Sequence, residues 1–375
     1  MKPYDIINHI VEDLIGNHFS NDYCYMYFLD NIRFDHSITN PMLFLLDKSI
    51  CSGTVNPLNH EDPNKPLERE YFFHANKWLR GTSGKGKNYL RNTTSNNFYQ
   101  HSFEPIYIDY DKVLWDYVQE LDTKRNSIVL HSEQNSKDID LLQTKNIKNV
   151  HWFSHAYICS EIYFKKYKKF KMVREYKLRP INFKWINANR LLRQHRVDLL
   201  EKINLSQGCY SLMNPDPNGF AYNGSVPAKS FDCHENHSAE ISIDTLNPWN
   251  TSFLHIVSET VWQDKIHLTE KIFKPIVLHQ PFVLLQAPGS LEYFKSYGFR
   301  TFNNWWDEGY DNIKDPTERL NAIAKIINDI GNMTLVELEA LRKEMADVLE
   351  YNFCHFYENI PAICLEELEK NIKLL

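Results

Sequence analysis

Residues 252–290 read SFLHIVSETVWQDKIHLTEKIFKPIVLHQPFVLLQAPGS. Ser252–Ser258 is an apolar, partly β-branched run of strand length, and Pro281–Gln286 is a second. Between them a helical segment opens near Thr269, and Pro288-Gly289-Ser290 marks a turn that caps another short helix. Two strands joined through a helix imply an α/β sheet with parallel strands, because a parallel pair needs a crossover of about this length.

Upstream, the same alternation predicts a strand at Ile181–Ile186 and a helix at Leu191–Ile203, followed by a turn-rich loop at Asn214-Pro215-Asp216-Pro217-Asn218-Gly219. Downstream, Phe299–Phe302 reads as the last strand. Asp315-Pro316-Thr317 opens a helix with proline at a tolerated first-turn position. Thr334-Leu335-Val336-Glu337 has the form of a capping box, in which hydroxyl and carboxylate each satisfy a free backbone N–H. The first half carries its own strand–helix–strand unit, with strands at Ser127–Leu130 and Asn149–Phe153. Before it, a helix near Tyr4–Gly16 and an apolar run at Met42–Leu46 are legible, and the rest of the first hundred residues is polar and turn-rich.

The stretch FKKYKKFKMVREYKLR ends at Arg179 and holds eight Lys/Arg against one Glu before Pro180 closes it. That shift of composition sets the boundary between residues 1–178 and 179–375. The expected fold class is α/β, with two facing Rossmann-like domains and a helical C-terminal tail whose final helix returns to the first domain. A length of 375 residues suits two cores. The net charge of −6 argues against a protein that coats nucleic acid generally. Seven scattered cysteines without a C-x-x-C pair read as reduced thiols, and the acids inside the apolar N-terminal stretch do not read as a secretory signal. No apolar run approaches the roughly 18 residues of a membrane span, so a cytoplasmic location is expected.

The densest chemical signal is Ser258-Glu259-Thr260 followed by His267-Leu268-Thr269-Glu270-Lys271. A carboxylate at a strand end and a Glu-Lys pair at the next helix start can cradle a nucleoside diphosphate. The ammonium and the helix N-terminus neutralise phosphate, and a carboxylate grips ribose hydroxyls. Such ligands lie at the carboxyl ends of strands in open α/β sheets. The plain alternative is a charged helix start with a surface lysine.

This run resembles the donor-site motif of the α1,3-fucosyltransferase family, a Phe-Glu-Asn-Ser segment followed by Asp-Tyr-x-Thr-Glu-Lys. Glu259 takes the place of the first carboxylate, and Thr269, Glu270 and Lys271 take that of the Thr-Glu-Lys. The resemblance implies that Glu270 binds ribose and Lys271 the diphosphate. Asn187-Ala188-Asn189 and Arg196 resemble the family's Asn-Pro segment and its phosphate-binding Arg, with Arg190 and Arg193 spaced to share a helix face with Arg196. The match covers roughly residues 181–300. Ser258 stands for the family's Phe, Thr260 for its Asn and His267 for its Tyr, and Glu259–Thr269 is one residue longer. It therefore implies a nucleotide-sugar co-substrate, of which a GDP-linked donor is one form, without naming the sugar.

The expected activity is a hexosyl- or fucosyltransferase-like glycosyl transfer to a hydroxyl of a glycan. It is expected to be inverting and without a cofactor or metal, since Arg196 and Lys271 serve as counter-charges. Residues 1–178 would bind the acceptor and 179–375 the donor. An inverting enzyme needs a base for the acceptor hydroxyl. Glu133, just past a strand, is the candidate, with His131 and Asn135 beside it and His155 as a weaker one; a helix-start acid is the plain alternative for Glu133.

Two rival functions accompany this reading. One is a glycosyltransferase acting on hydroxymethylated bases of viral DNA, contacted through the basic stretch Lys165–Arg179. The other is a nucleotide-sugar-binding protein without catalysis. Weaker motifs are the P-loop-like Gly81–Lys87, where Asn88 replaces the Mg-binding hydroxyl, the D-x-D of Asp109-Tyr110-Asp111, and Cys233, His234 and His237 as zinc ligands.

Overall fold

The computed structural model describes residues 126–375 apart from Asn146, Leu191 and residues 213–224, 230–240 and 242–247, together with Ile106 and four strands between residues 24 and 102. The Tyr4–Gly16 helix, Gly81–Lys87, Asp109–Asp111, Asn214–Gly219 and the Cys233–His237 group lie outside the described residues. Among these residues the fold is α/β, with parallel strands in both of its sheets. Contacts divide the chain into two units, Met1–Ser154 with Cys364–Leu375, and His155–Ile363. The division falls upstream of the 178/179 boundary drawn from composition, so the basic stretch belongs to the second unit.

The first unit holds strands β1 (Cys24–Leu29), β2 (Met42–Asp47), β3 (Glu70–Phe73), β4 (Asn97–Ser102), β5 (Asn126–His131) and β6 (Lys148–His151), in the order β3-β2-β1-β4-β5-β6. The β3-β2-β1 edge is antiparallel and β1-β4-β5-β6 is parallel. Helix α1 (Lys137–Thr144) crosses from β5 to β6, and its N-cap is Ser136, which accepts from Ile139 N. Ile128, Val129 and Leu130 are buried, as a strand covered on both faces requires. The last residues of the chain are tied to β6: Glu367 accepts from Phe153 N at 2.8 Å, and Asn371 donates to His151 O at 2.8 Å.

The second unit opens with α2 (Ser154–Ile158) and a π-helical turn at Cys159–Tyr163. The basic stretch follows as three short pieces, a 3₁₀ turn at Lys165–Lys169, helix α3 (Lys171–Arg174) and a 3₁₀ turn at Tyr176–Leu178. Its core-facing residues explain why no single α-helix forms. Phe164, Tyr167, Val173, Tyr176 and Arg179 are buried, each a multiple of three positions from the next. A period of three fits 3₁₀ turns and would spiral off the core-facing stripe of an α-helix.

The sheet of this unit is β7 (Phe183–Asn189), β8 (Gly208–Leu212), β9 (Ser252–Ser258) and β10 (Phe282–Leu285), all parallel, in the order β10-β9-β7-β8. Between them come α4 (Gln194–Lys202), α5 (Pro248–Thr251) and α6 (Glu270–Leu278). The chain runs from β7 outward to β8 and then returns to the other side of β7 for β9, so the winding reverses between β7 and β9. In open α/β sheets that reversal leaves a crevice at the strands' carboxyl ends. All seven residues of β9 are buried. Gly208 is needed where β8 starts, because a Cβ there would meet Trp185 Cδ2 at 2.1 Å.

Helices α7 (Ser290–Ser296), α8 (Pro316–Asn332), α9 (Leu335–Glu344), α10 (Ala346–Glu358) and α11 (Ile360–Ile372) complete the chain. Asp315 caps α8, accepting from Glu318 N at 2.8 Å, and the Thr334–Glu337 capping box closes in both directions. Phe299–Phe302, expected as a strand, is not one. Side chains satisfy its backbone where a neighbouring strand would: Asn352 bonds both Arg300 N and Arg300 O at 2.8 Å, and Glu308 accepts from Phe302 N at 2.7 Å. The strand expected at Ile181–Ile186 begins two residues later, and β8, unmarked by an apolar run, was not expected.

Candidate functional site

Glu259 follows β9 directly, where Glu259 N still bonds Leu285 O of the neighbouring strand. The carboxylate is completely buried. Its Oε1 accepts from Thr269 N at 3.0 Å and its Oε2 from Thr269 Oγ1 at 2.6 Å. Thr269 is the N-cap of α6 with extended backbone and makes no capping bond of its own. Glu259 therefore does from across the loop what the third-residue carboxylate of a capping box does locally, accepting from the N–H of the N-cap. Glu270 is the first helical residue and is buried, and Lys271 follows.

The Lys271 ammonium donates to Thr269 Oγ1 at 2.8 Å and to Glu270 Oε1 at 3.0 Å, and lies 3.6 Å from Glu259 Oε2. Its side chain keeps 21% exposure where Glu259 has none, so the lysine is the member of this cluster open to a ligand. Arg196, in the first turn of α4, is buried and donates through one terminal nitrogen to Ser258 O and Glu259 O at 3.1 Å each. Sequence reasoning thus identified five residues that the fold gathers at one strand end: Arg196, Glu259, Thr269, Glu270 and Lys271. The Asn187-Ala188-Asn189 segment is at the end of the adjacent β7. Asn187 bonds Ile256 O and Ser258 Oγ at 2.9 Å, and Asn189 bonds Asn187.

Arg190 and Arg193 are not brought into this cluster by α4. The helix begins at Gln194; Arg193 is its extended N-cap and Arg190 lies exposed in the bend after β7. A shared helical face needs all three arginines inside the helix, and only Arg196 is. Glu133 belongs to the first unit, is buried, and accepts a hydrogen bond from Ile106 N. Ser136 caps α1, with Asp138 and Asp140 in its first turn, so Glu133 is not the helix-start acid. His131 Nδ1 accepts from Glu133 N at 3.2 Å, and Asn135 holds a left-handed φ of 54°. Among the described residues no group of three or more His, Cys, Asp or Glu is placed to hold a metal ion. Nor is any helix among them long and apolar enough to cross a membrane.

Neighbours that the sequence did not mark complete the environment. His195 donates from Nε2 to Glu259 O at 3.1 Å, and its ring stacks on Trp262 at 5.8 Å. The Arg319 guanidinium from α8 lies 4.0 Å from the Trp262 ring centre and donates to Trp262 O at 2.9 Å. Only the proximity of Trp262 to Glu259 in sequence was a signal; Arg319 gave none. His155 lies in the electrostatic reach of Glu270 and Lys271, and its ring is 5.0 Å from that of His267.

Burial works to raise the Glu270 carboxyl, but Lys271, with His155 and Lys274, outweighs it and holds the group at about 2. Burial raises Glu259 instead, reinforced by Glu270 and opposed by Lys271 and the Thr269 bonds. The two acids raise Lys271 against its own burial. Burial lowers His155 to about 4 and His195 and His255 to about 3, so all three imidazoles are neutral at pH 7.

These shifts have a sign. The histidines' stability is complete above their ordinary value of about 6.5 and is lost as pH falls toward 4 and 3. That of Glu270 is complete above about 4.5 and is lost as pH falls toward 2. Glu259, being raised, works in the opposite sense. Melting temperature measured from pH 7 to 2 is expected to decline from about 6.5 and to steepen below about 4.5, where Glu270 adds to the histidines. Glu270→Gln should make the decline below about 4.5 shallower and leave the part above it unchanged. An equally steep decline below about 4.5 in that variant would refute the assignment.

No protein-family model, curated protein or solved structure matches this chain.

Proposed function

We propose that the protein is an inverting, metal-independent glycosyltransferase of the two-Rossmann-domain type. It would move a sugar from a nucleotide-sugar donor to the hydroxyl of an acceptor, most simply a glycan. One observation carries the reading: Glu259, Thr269, Glu270 and Lys271 form a bonded cluster at the carboxyl end of β9, beside the reversal of winding between β7 and β9. That is where open α/β sheets bind nucleotides. Lys271 then exchanges its bonds to Thr269 and Glu270 for diphosphate oxygens, and Glu270, ionised at neutral pH, accepts from ribose hydroxyls. Arg196 adds positive charge behind the Glu259 carbonyl and orients the strand end.

Lys271→Ala is expected to weaken nucleoside-diphosphate binding by about 1.5–3 kcal/mol, the range for a charge-assisted contact. Calorimetry with a panel of nucleoside diphosphates measures this and identifies the base. Equal affinity in variant and wild type would remove the donor site from α6. Transfer assays with glycan and with hydroxymethylated-DNA acceptors then identify the acceptor class. Tight nucleotide-sugar binding without transfer to either would favour a non-catalytic binding protein.

A further inference from the structure

We infer that the outer surface of residues 164–179 is a docking site for an anionic membrane surface. The period of three that turns Phe164, Tyr167, Val173, Tyr176 and Arg179 inward leaves the intervening positions, mostly lysines, facing out. Three of these lysines have a carboxylate partner: Lys165 with Glu161 at 2.7 Å, Lys168 with Glu358 at 3.7 Å and Lys171 with Glu175 at 3.7 Å. Lys166, Lys169, Arg174 and Lys177 have none within ion-pair distance among the described residues. Glu350 attracts Arg174 and Lys177 from further off. In a 3₁₀ turn, residues three apart eclipse, so Lys166 and Lys169 stand on one edge while Lys165 and Lys168 stand on another beside their acids.

Two apolar side chains emerge among these cations. Leu178 is 80% exposed, next to Lys177, and Phe170 is 36% exposed, next to Lys169. Exposed apolar groups flanked by lysines suit a lipid interface, where ammonium groups meet headgroup phosphates and the apolar side chains enter the acyl boundary. The same burial argues against single-stranded nucleic acid. Of the rings in residues 164–179, Phe164, Tyr167 and Tyr176 are buried, the two tyrosines hydrogen-bonded to Ile241 O and Ala346 O, which leaves Phe170 as a single exposed ring where a track of successive bases needs several. The lysines also lack the planar fork that reads phosphate and base edges bidentately. This site is independent of the proposed donor cluster, so either can fail alone.

The test is co-sedimentation of the full chain with vesicles of phosphatidylcholine, with and without phosphatidylserine. Binding is expected only where phosphatidylserine is present. Lys166→Ala combined with Lys169→Ala should weaken it roughly thirtyfold, at the usual strength of a basic residue near an anionic surface. Leu178→Ser should weaken it roughly tenfold by removing the inserted side chain. Both variants change exposed positions, and an unchanged melting temperature confirms that they fold. No partition to phosphatidylserine vesicles, or partition indifferent to both variants, would overturn the inference. So would binding of duplex DNA that the double variant weakens while vesicles are ignored, which would assign the surface to nucleic acid.

Discussion

Glu259→Ala is expected to lower the free energy of unfolding by about 3–5 kcal/mol, the range for removing one partner from a buried charged cluster. The carboxylate has no exposed surface and accepts both the backbone and the side-chain bond of Thr269. Without it the Thr269 N–H at the start of α6 loses its acceptor. Glu270 and Lys271 lose the anchor that fixes their helix turn, and the Arg196 and His195 contacts to Glu259 O lose part of their support. Glu259→Gln keeps one oxygen acceptor and much of the volume, so it should recover part of the loss. Urea unfolding of the three proteins measures this. A cost for the alanine variant below about 1 kcal/mol, as for an exposed ion pair, would mean that the cluster does not hold the strand end.

Glu133→Gln should reduce glycosyl transfer by about 10²–10⁴, the contribution of a positioned general base. This expectation rests on the proposed function. Glu133 has a structural task that the amide can continue, since its oxygen can still accept from Ile106 N. It can no longer take a proton from the acceptor hydroxyl. Donor affinity, measured by calorimetry, should be unchanged, because the donor residues belong to the other unit. Normal turnover with a lowered melting temperature would make Glu133 a strut for Ile106 and send the search for the base elsewhere in the first unit.

The elements that were legible from sequence are those whose burial leaves a periodic mark. Ser252–Ser258 reads as a strand and is β9 to the residue, because Phe253, Leu254, Ile256 and Val257 supply apolar side chains to both faces of a strand that is buried along its whole length. Both caps of the tail are legible for a local reason, since capping chemistry acts within a few residues of its own sequence; the start of α6 is marked locally only by Thr269-Glu270-Lys271, and its carboxylate acceptor, Glu259, lies ten residues upstream. Of the five residues at the β9 end, Glu259, Thr269, Glu270 and Lys271 lie at strand and helix ends that the pattern locates, and Arg196 is marked by the fucosyltransferase resemblance alone.

Only the tertiary structure decided the rest. β8 contains Gly208 and Ser211 and has no apolar run; it is a strand because β7 offers a parallel partner and Trp185 packs over the glycine. Phe299–Phe302 has strand composition and is not a strand, because Asn352 from α10 and Glu308 take up its backbone bonds. The basic stretch was judged by composition, and its period of three became meaningful once burial showed which side chains face inward. Arg319 reaches Trp262 from a helix more than fifty residues downstream, a pairing for which local sequence carries no signal. Sequence determined what local hydrogen bonding and hydrophobic periodicity control. The partners that long-range packing selects, and hence which charges are covered and which stay exposed, came from the folded chain alone.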